Sequence, residues 1–187
     1  MKITDRPPLS LAARVMIFGG LAIGLSLILI GSLVLSAVER HFAEQDAGEL
    51  AVMTQAVAKT LLNGGNDSAQ QSDALANAIS GHHGVFFQVR KAQGDIIYSM
   101  PGANLTQVTD TLAPTSEINV ENVQTWQDGD KTFRGVVSDV EVGGRSYSIT
   151  TAIDMGFHLE FLRSFRRALW LIMTLAGAIT LLAAWYG

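Results

Sequence analysis

Residues 132–153 read TFRGVVSDVEVGGRSYSITTAI, two runs rich in β-branched residues on either side of Gly143-Gly144. β-branched and aromatic residues favour strands, and two glycines between such runs are typical of a tight hairpin turn. The pattern predicts two antiparallel strands, Thr132 to Val142 and Arg145 to Ile153. This hairpin decides the fold, because it commits the middle of the chain to an antiparallel sheet.

The same strand character recurs in shorter runs before the hairpin, at Val85 to Val89, Ile96 to Tyr98 and Val123 to Trp126. Turn-forming residues follow the first and the third of these runs. Residues 101–122 are polar and have no clear periodicity, so no regular element is predicted there. The sequence thus predicts about five antiparallel strands.

Upstream of the strands, apolar residues recur every three or four positions, which is typical of a helix with one buried face. This stripe consists of Ala43, Leu50, Met53, Val57 and Leu61. Asn63-Gly64-Gly65 signals the end of that helix, and Asp67-Ser68 can cap a second helix that ends at Gly81. The pattern becomes helical again after Asp154, which can cap the start. Together these elements predict an α+β, PAS-like domain with its helices on one face of the sheet.

Two uncharged apolar runs flank this domain: 24 residues from Val15 to Val38 and 20 residues from Ala168 to Gly187. At about 1.5 Å per residue, each run reaches the roughly 30 Å of a bilayer core. The first run is longer than the roughly 7–15-residue apolar region of a signal peptide. A retained transmembrane helix is therefore predicted rather than a cleaved signal.

Charge predicts the orientation. Residues 1–14 carry a balance of +2, whereas residues 39–167 carry ten Lys and Arg against sixteen Asp and Glu. Positively charged flanks stay in the cytoplasm, and acidic domains cross readily. We expect a cytoplasmic tail over 1–14, transmembrane helices over 15–38 and 168–187, and an extracytoplasmic domain over 39–167.

Several function classes are disfavoured by the composition. The chain has no cysteine, so the domain has to be stabilised by its core without disulfides. The acidic balance and the lack of a basic stripe argue against nucleic-acid binding. No Gly-x-Ser-x-Gly, phosphate-binding loop or His-Glu-x-x-His motif occurs in the sequence. No catalytic residue is therefore predicted in this chain.

Two histidines stand out, one on each helix that is continuous with a membrane span. At about 1.5 Å per residue, we expect His41 and His158 to lie roughly 10 and 15 Å above the membrane. Neutral imidazoles at similar height near a dimer seam could bind a soft or borderline cation. Met155, three residues before His158, could add a thioether from the same helical face. The alternative is that both histidines are surface residues that bind nothing.

Other polar and sulfur-containing residues are given structural interpretations. His82-His83 lies between two glycines and is interpreted as part of a turn. Met53 and Met100 are interpreted as core residues. Glu44 and Asp46 are interpreted as part of a solvated helix face.

Several short segments carry a family resemblance. They read SLAAR at 10–14, HFAEQD at 41–46, SMPGA at 99–103, and AID at 152–154 followed by FHL at 157–159. In this order along the chain they resemble the copper- and silver-responsive sensor histidine kinases of Gram-negative two-component systems, the Cus/Cop type.

The resemblance implies a periplasmic PAS-like dimer with a copper or Ag(I) ion at its interface. Carried over by position, the implied ligands are His41, Phe42 and His158, with Phe42 presenting its ring face to the cation. Some relatives have a Met- and His-rich loop that makes further sites. Residues 104–122 contain neither Met nor His, so only the interface site is expected.

The resemblance further implies an inner-membrane homodimer whose cytoplasmic core binds ATP and phosphorylates a response regulator for metal resistance. No such core is in the sequence, so we expect the chain to be a piece of a kinase. Two alternatives stay open: a PAS-like sensor for a small organic ligand, and a membrane-anchored subunit that binds a protein partner.

Overall fold

The structure is a computed structural model that describes residues 11–64, 68–78 and 84–186. The chain divides into two compact units. Residues 40–159 form one, called the sensor unit here. Residues 11–39 and 160–186 belong to the other, called the membrane unit.

The sensor unit contains a five-stranded antiparallel sheet with the strand order β2-β1-β5-β4-β3. The strands are β1 Val85–Lys91, β2 Ile96–Ser99, β3 Gln124–Asp128, β4 Lys131–Val142 and β5 Arg145–Asp154. The helices are α1 Leu11–Asn63, α2 Ser68–Ala78, α3 Thr106–Thr111 and α4 Gly156–Tyr186. The predicted α+β fold with flanking helices is confirmed.

The hairpin that decides the fold is the longest pairing in the sheet. β4 and β5 stay in register from Phe133 opposite Asp154 to Val142 opposite Arg145. Gly143 and Gly144 have φ values of 59° and 73°, the left-handed values that the central residues of a two-residue hairpin turn require. The glycine pair therefore fixes both the turn and the register.

The main core lies between α1, α2 and one face of the sheet. The predicted stripe of α1 is confirmed at four of its five residues, since Leu50, Met53, Val57 and Leu61 are buried, whereas Ala43 is half-buried. The four buried residues pack with Leu75 of α2 and with apolar side chains of β1, β4 and β5. Burying each large apolar side chain contributes about 1.5–3 kcal/mol. This packing is what attaches the outer half of α1 to the sheet.

The opposite face of the sheet carries α3, which the sequence did not predict. Leu105, beside α3, packs against Phe133 and Ala152. Thr109 of α3 lies 2.6 Å from Thr150 between hydroxyl oxygens. The expectation of helices on one face was therefore incomplete. α3 has six residues and one buried side chain, too few to show a helical period.

The membrane unit consists of the two apolar helical segments of α1 and α4. Among the described residues, these two helices are long and apolar enough to cross a membrane. A Cβ atom on Gly31 would lie 2.8 Å from the sulfur of Met173, and one on Gly20 would lie 3.2 Å from Leu181. Glycine at these positions lets the two helices approach closely, as small residues do in membrane helix pairs.

Candidate metal site

His41 and Phe42 lie on α1 where the sensor unit begins. The His41 side chain is exposed, and that of Phe42 is half-buried. Their ring centroids are 6.5 Å apart and the ring planes are tilted by 44°. Successive side chains on a helix point in different directions, so His41 faces solvent while Phe42 turns toward the protein.

His158 is placed by the junction between β5 and α4. The backbone N–H of Gly156 donates to the Asp154 carboxylate at 2.9 Å, and the N–H of Leu159 donates to the carbonyl of Met155 at the same distance. The bond to Asp154 caps the first turn of α4, so the capping role predicted for Asp154 is confirmed, and the bond to Met155 is the first hydrogen bond of the helix itself. His158 is the third residue of the helix.

The structure brings Phe42 and His158 into direct contact. Their rings are stacked, with centroids 4.6 Å apart and an angle of 24° between planes. Because His41 also lies beside Phe42, the phenyl ring contacts both imidazoles. Three of the four predicted ligand residues thus come together within one sensor unit, around an aromatic ring.

Met155, the fourth predicted ligand, has a different position. It precedes the first residue of α4, and its side chain is buried with 5% exposure. Its backbone N–H donates to the carbonyl of Thr132 at 2.8 Å. The prediction that Met155 shares a helical face with His158 was wrong, because the helix starts one residue later.

Asp46 is the main correction to the sequence interpretation. Its residue surface is fully buried, whereas Glu44 is exposed and pairs with Arg40 at 2.9 Å. Asp46 follows Ala43 by three positions and precedes Leu50 by four, so it belongs to the buried stripe. The solvated-face interpretation holds for Glu44 and was wrong for Asp46. The helical spacing could have identified it.

The buried Asp46 carboxylate contacts side chains from two other elements. Its Oδ2 accepts a hydrogen bond from the Arg134 guanidinium of β4 at 2.7 Å. Its Oδ1 lies 3.3 Å from Nδ1 of His158, a distance that fits an ion pair, although the angles do not meet those of a hydrogen bond. Asp46 therefore connects α1, the sheet and the first turn of α4.

The available donors suit soft or borderline cations. Imidazole nitrogen and thioether sulfur bind Cu(I) and similar ions, and an aromatic face can contact a cation. Within the described ranges, no three His, Cys, Asp or Glu side chains of one chain converge as a metal cluster.

Met53 and Met100 contribute to the core as predicted. His82 and His83 lie outside the described residues.

The family model of the CusS sensor domain matches residues 7–162 of this chain. The match covers most of the sequence, including the sensor unit. The chain belongs to the CusS sensor domain family, and the predicted resemblance to Cus-type sensor kinases is confirmed.

Individual relatives agree with this assignment. The probable sensor kinase SilS of Salmonella typhimurium is 24% identical over 196 residues, covering 95% of this chain and 39% of its own length. The sensor histidine kinase CusS of Escherichia coli K12 is 29% identical over 96 residues, covering 51% of this chain and 20% of its own length. The chain thus spans two fifths or less of these relatives.

Two solved sensor domains are similar to the structure. A CusS sensor domain with silver bound is 22% identical, covers 66% of this chain and 97% of its own, and superposes with a TM-score of 0.48. The sensor domain of the zinc-responsive histidine kinase CzcS from Pseudomonas aeruginosa is 15% identical, covers 57% and 93%, and has a TM-score of 0.30.

Proposed function

We propose that this chain is the sensing and signal-transmitting region of an inner-membrane sensor histidine kinase that detects silver or copper ions. In this proposal residues 39–167 lie in the periplasm, residues 1–14 lie in the cytoplasm, and 15–38 and 168–187 cross the membrane. Membership of the CusS sensor domain family supports the proposal, as do the SilS and CusS relatives. The whole protein would be an ATP-dependent kinase that phosphorylates a response regulator for metal resistance.

The observation that carries the proposal is the contact of Phe42 with both His41 and His158. The two imidazoles lie on the two helices that continue into the membrane unit. An ion that binds them therefore acts on the elements that reach the cytoplasmic side. A site elsewhere on the sheet would need an additional route to those helices.

We place the ion at a homodimer interface, held by His41 and Phe42 of one chain and by His158 of the partner subunit. Among its described residues, one chain brings together no group of three His, Cys, Asp or Glu side chains that could hold the ion alone. The exposed position of His41 leaves that imidazole accessible to a second copy. Met155 is kept as an additional candidate ligand, with a smaller contribution because its side chain is buried.

The proposed signal arises because the ion binds one arrangement of the dimer more tightly than another. If the dimer has two arrangements of α1 and α4, the ion shifts their balance only as far as it binds one arrangement more tightly. Each tenfold difference in affinity contributes about 1.4 kcal/mol. The two continuous helices would pass this change through the membrane to the kinase core.

The alternative of a small organic ligand is less well supported. The space between the helices and the sheet is filled by fully buried side chains such as Leu50, Leu75 and Phe87. Two concavities on the sensor unit, of about 430 and 390 Å³, have many polar residues in their lining. Pockets for organic ligands usually bury most of the ligand's surface, whereas both concavities are open to solvent.

Silver titration of the 187-residue chain in nanodiscs tests the proposal. We expect tight Ag(I) binding that weakens at least tenfold in His41→Ala and in His158→Ala, because each variant removes one imidazole ligand. The double variant His82→Ala/His83→Ala is the matched control, since it removes imidazoles outside the proposed site. Unchanged affinity in both single variants would contradict the proposed site.

A further inference from the structure

The buried Asp46 carboxylate has an incomplete set of hydrogen-bond partners. Its Oδ2 accepts from Arg134, but within the described part of the chain its Oδ1 has no hydrogen bond, and neither does Nδ1 of His158, 3.3 Å away. Both atoms are shielded from solvent. Buried polar atoms are rarely left unpaired, because they lose their hydrogen bonds to water without gaining a new partner. A hydrogen bond between Nδ1 and Oδ1 would satisfy both atoms.

Such a hydrogen bond would determine which imidazole nitrogen carries the proton. A carboxylate oxygen only accepts hydrogen bonds, so Nδ1 of His158 satisfies it only as N–H. In the neutral ring the other nitrogen, Nε2, then has the free lone pair. Metal-binding histidines commonly show this arrangement, with one nitrogen on the ion and the other donating to a carboxylate.

We propose that Asp46 is a positioning residue that holds His158 as the Nδ1–H tautomer, so that Nε2 is the atom presented to the sensed ion. This inference rests on the function proposed above. Asp46 fixes the edge of the imidazole, and the stacked ring of Phe42 fixes its plane. His158 is thus oriented before the ion arrives.

The contact with Arg134 favours Asp46 as a positioning residue rather than as a ligand of the ion. The guanidinium occupies Oδ2 and compensates the negative charge in a site where an unpaired carboxylate would be costly. Asp46 is also fully buried, whereas a ligand has to reach an ion that enters from solvent. The carboxylate therefore acts through His158.

The test uses the 187-residue chain in nanodiscs with histidine labelled by ¹⁵N. At pH about 8, where free imidazole is neutral, two-bond ¹H–¹⁵N spectra distinguish the two tautomers of each ring. His158→Gln assigns the His158 signals. We expect the Nδ1–H tautomer for His158 before any metal is added. On addition of Ag(I), the coordination shift should fall on Nε2 of His158.

Three variants separate orientation from folding. Asp46→Leu should release the tautomer preference and weaken Ag(I) binding about 10–100-fold, the usual effect of removing such a support. Asp46→Asn has only one oxygen, which Arg134 should take because its guanidinium can only donate; the Asn NH2 then faces Nδ1 of His158, so this variant should switch the ring to the Nε2–H tautomer and weaken Ag(I) binding. Glu44→Gln, an exposed carboxylate two residues away, should change neither. Thermal unfolding of each variant shows whether it is folded.

The wild-type spectrum alone can overturn the proposal. If His158 is the Nε2–H tautomer, or if silver shifts Nδ1, then Asp46 does not orient the ring, even if silver binding depends on His158. Conversely, an Nδ1–H tautomer in a chain that binds no silver would leave the orienting role intact and contradict the proposed function.

Discussion

The two membrane-proximal segments of the sensor unit, around His41 on α1 and around His158 on α4, present their imidazoles very differently. His158 is stacked on Phe42 and lies beside a buried carboxylate. His41 is exposed, and the nearby Glu44 pairs with Arg40 instead. One candidate ligand is therefore held by its own chain, and the other is presented to solvent. This asymmetry suits a site that forms when a second chain arrives.

The largest expected effect is a difference in stability between variants of the buried Asp46 and the exposed Glu44. Asp46→Leu leaves the half-buried Arg134 guanidinium without its partner, which typically costs about 1–3 kcal/mol. Glu44→Leu breaks an exposed pair, and such pairs contribute about 0–1 kcal/mol. Urea unfolding of both variants in the same detergent micelles compares how much each loses in the free energy of unfolding. Equal losses would show that the two carboxylates are not in different environments.

The next largest effect concerns the stacked ring. Phe42→Leu retains apolar bulk but removes the aromatic face that contacts His158. We expect a loss of about 0.5–1.5 kcal/mol in stability, the usual contribution of an aromatic pair. Ag(I) affinity should fall as well, because both the cation contact and the orientation of His158 are lost.

Tyr98→Leu is the matched control for this prediction, since it also removes a stacked aromatic ring, in this case one that stacks on Phe87 within the sheet. Its Ag(I) affinity, measured by the same titration, should equal that of the wild type. A similar loss of affinity in both variants would indicate that Phe42 has no special relation to the ion.

The sequence predicted the strands best where glycine defines the turns. The hairpin was expected over 132–142 and 145–153 and is found at Lys131–Val142 and Arg145–Asp154. β3 was displaced, expected at 123–126 and found at Gln124–Asp128. This strand is at the sheet edge and has few buried residues, so its hydrophobic pattern specifies the bounds weakly.

The candidate site was also predictable only in part. The histidines could be identified because each lies on a helix with a long apolar segment nearby in sequence. The contact between His158 and Asp46 could not be identified from the sequence, because Asp46 is paired with Arg134, which is 88 positions away. Pairings of this kind are set by the tertiary fold. The burial of Asp46 was within reach of the helical pattern, but its partners were not.

The smallest expected effect concerns Met155. Met155→Leu conserves volume and apolar character, so its stability cost should be below about 1.5 kcal/mol. With the side chain buried and outside α4, we expect the Ag(I) affinity to change by less than the tenfold expected for the histidines. Titration of this variant beside His158→Ala provides the comparison. A loss as large as that of His158→Ala would make Met155 a principal ligand.

The central claim is that one ion is shared between His41 of one chain and His158 of the partner subunit. It can be tested by co-expressing His41→Ala and His158→Ala chains with different tags and purifying the mixed dimer. In that dimer one of the two shared sites keeps both imidazoles. The account predicts that the mixed dimer regains tight Ag(I) binding at about half the wild-type stoichiometry. Binding no tighter than that of either variant alone would contradict it.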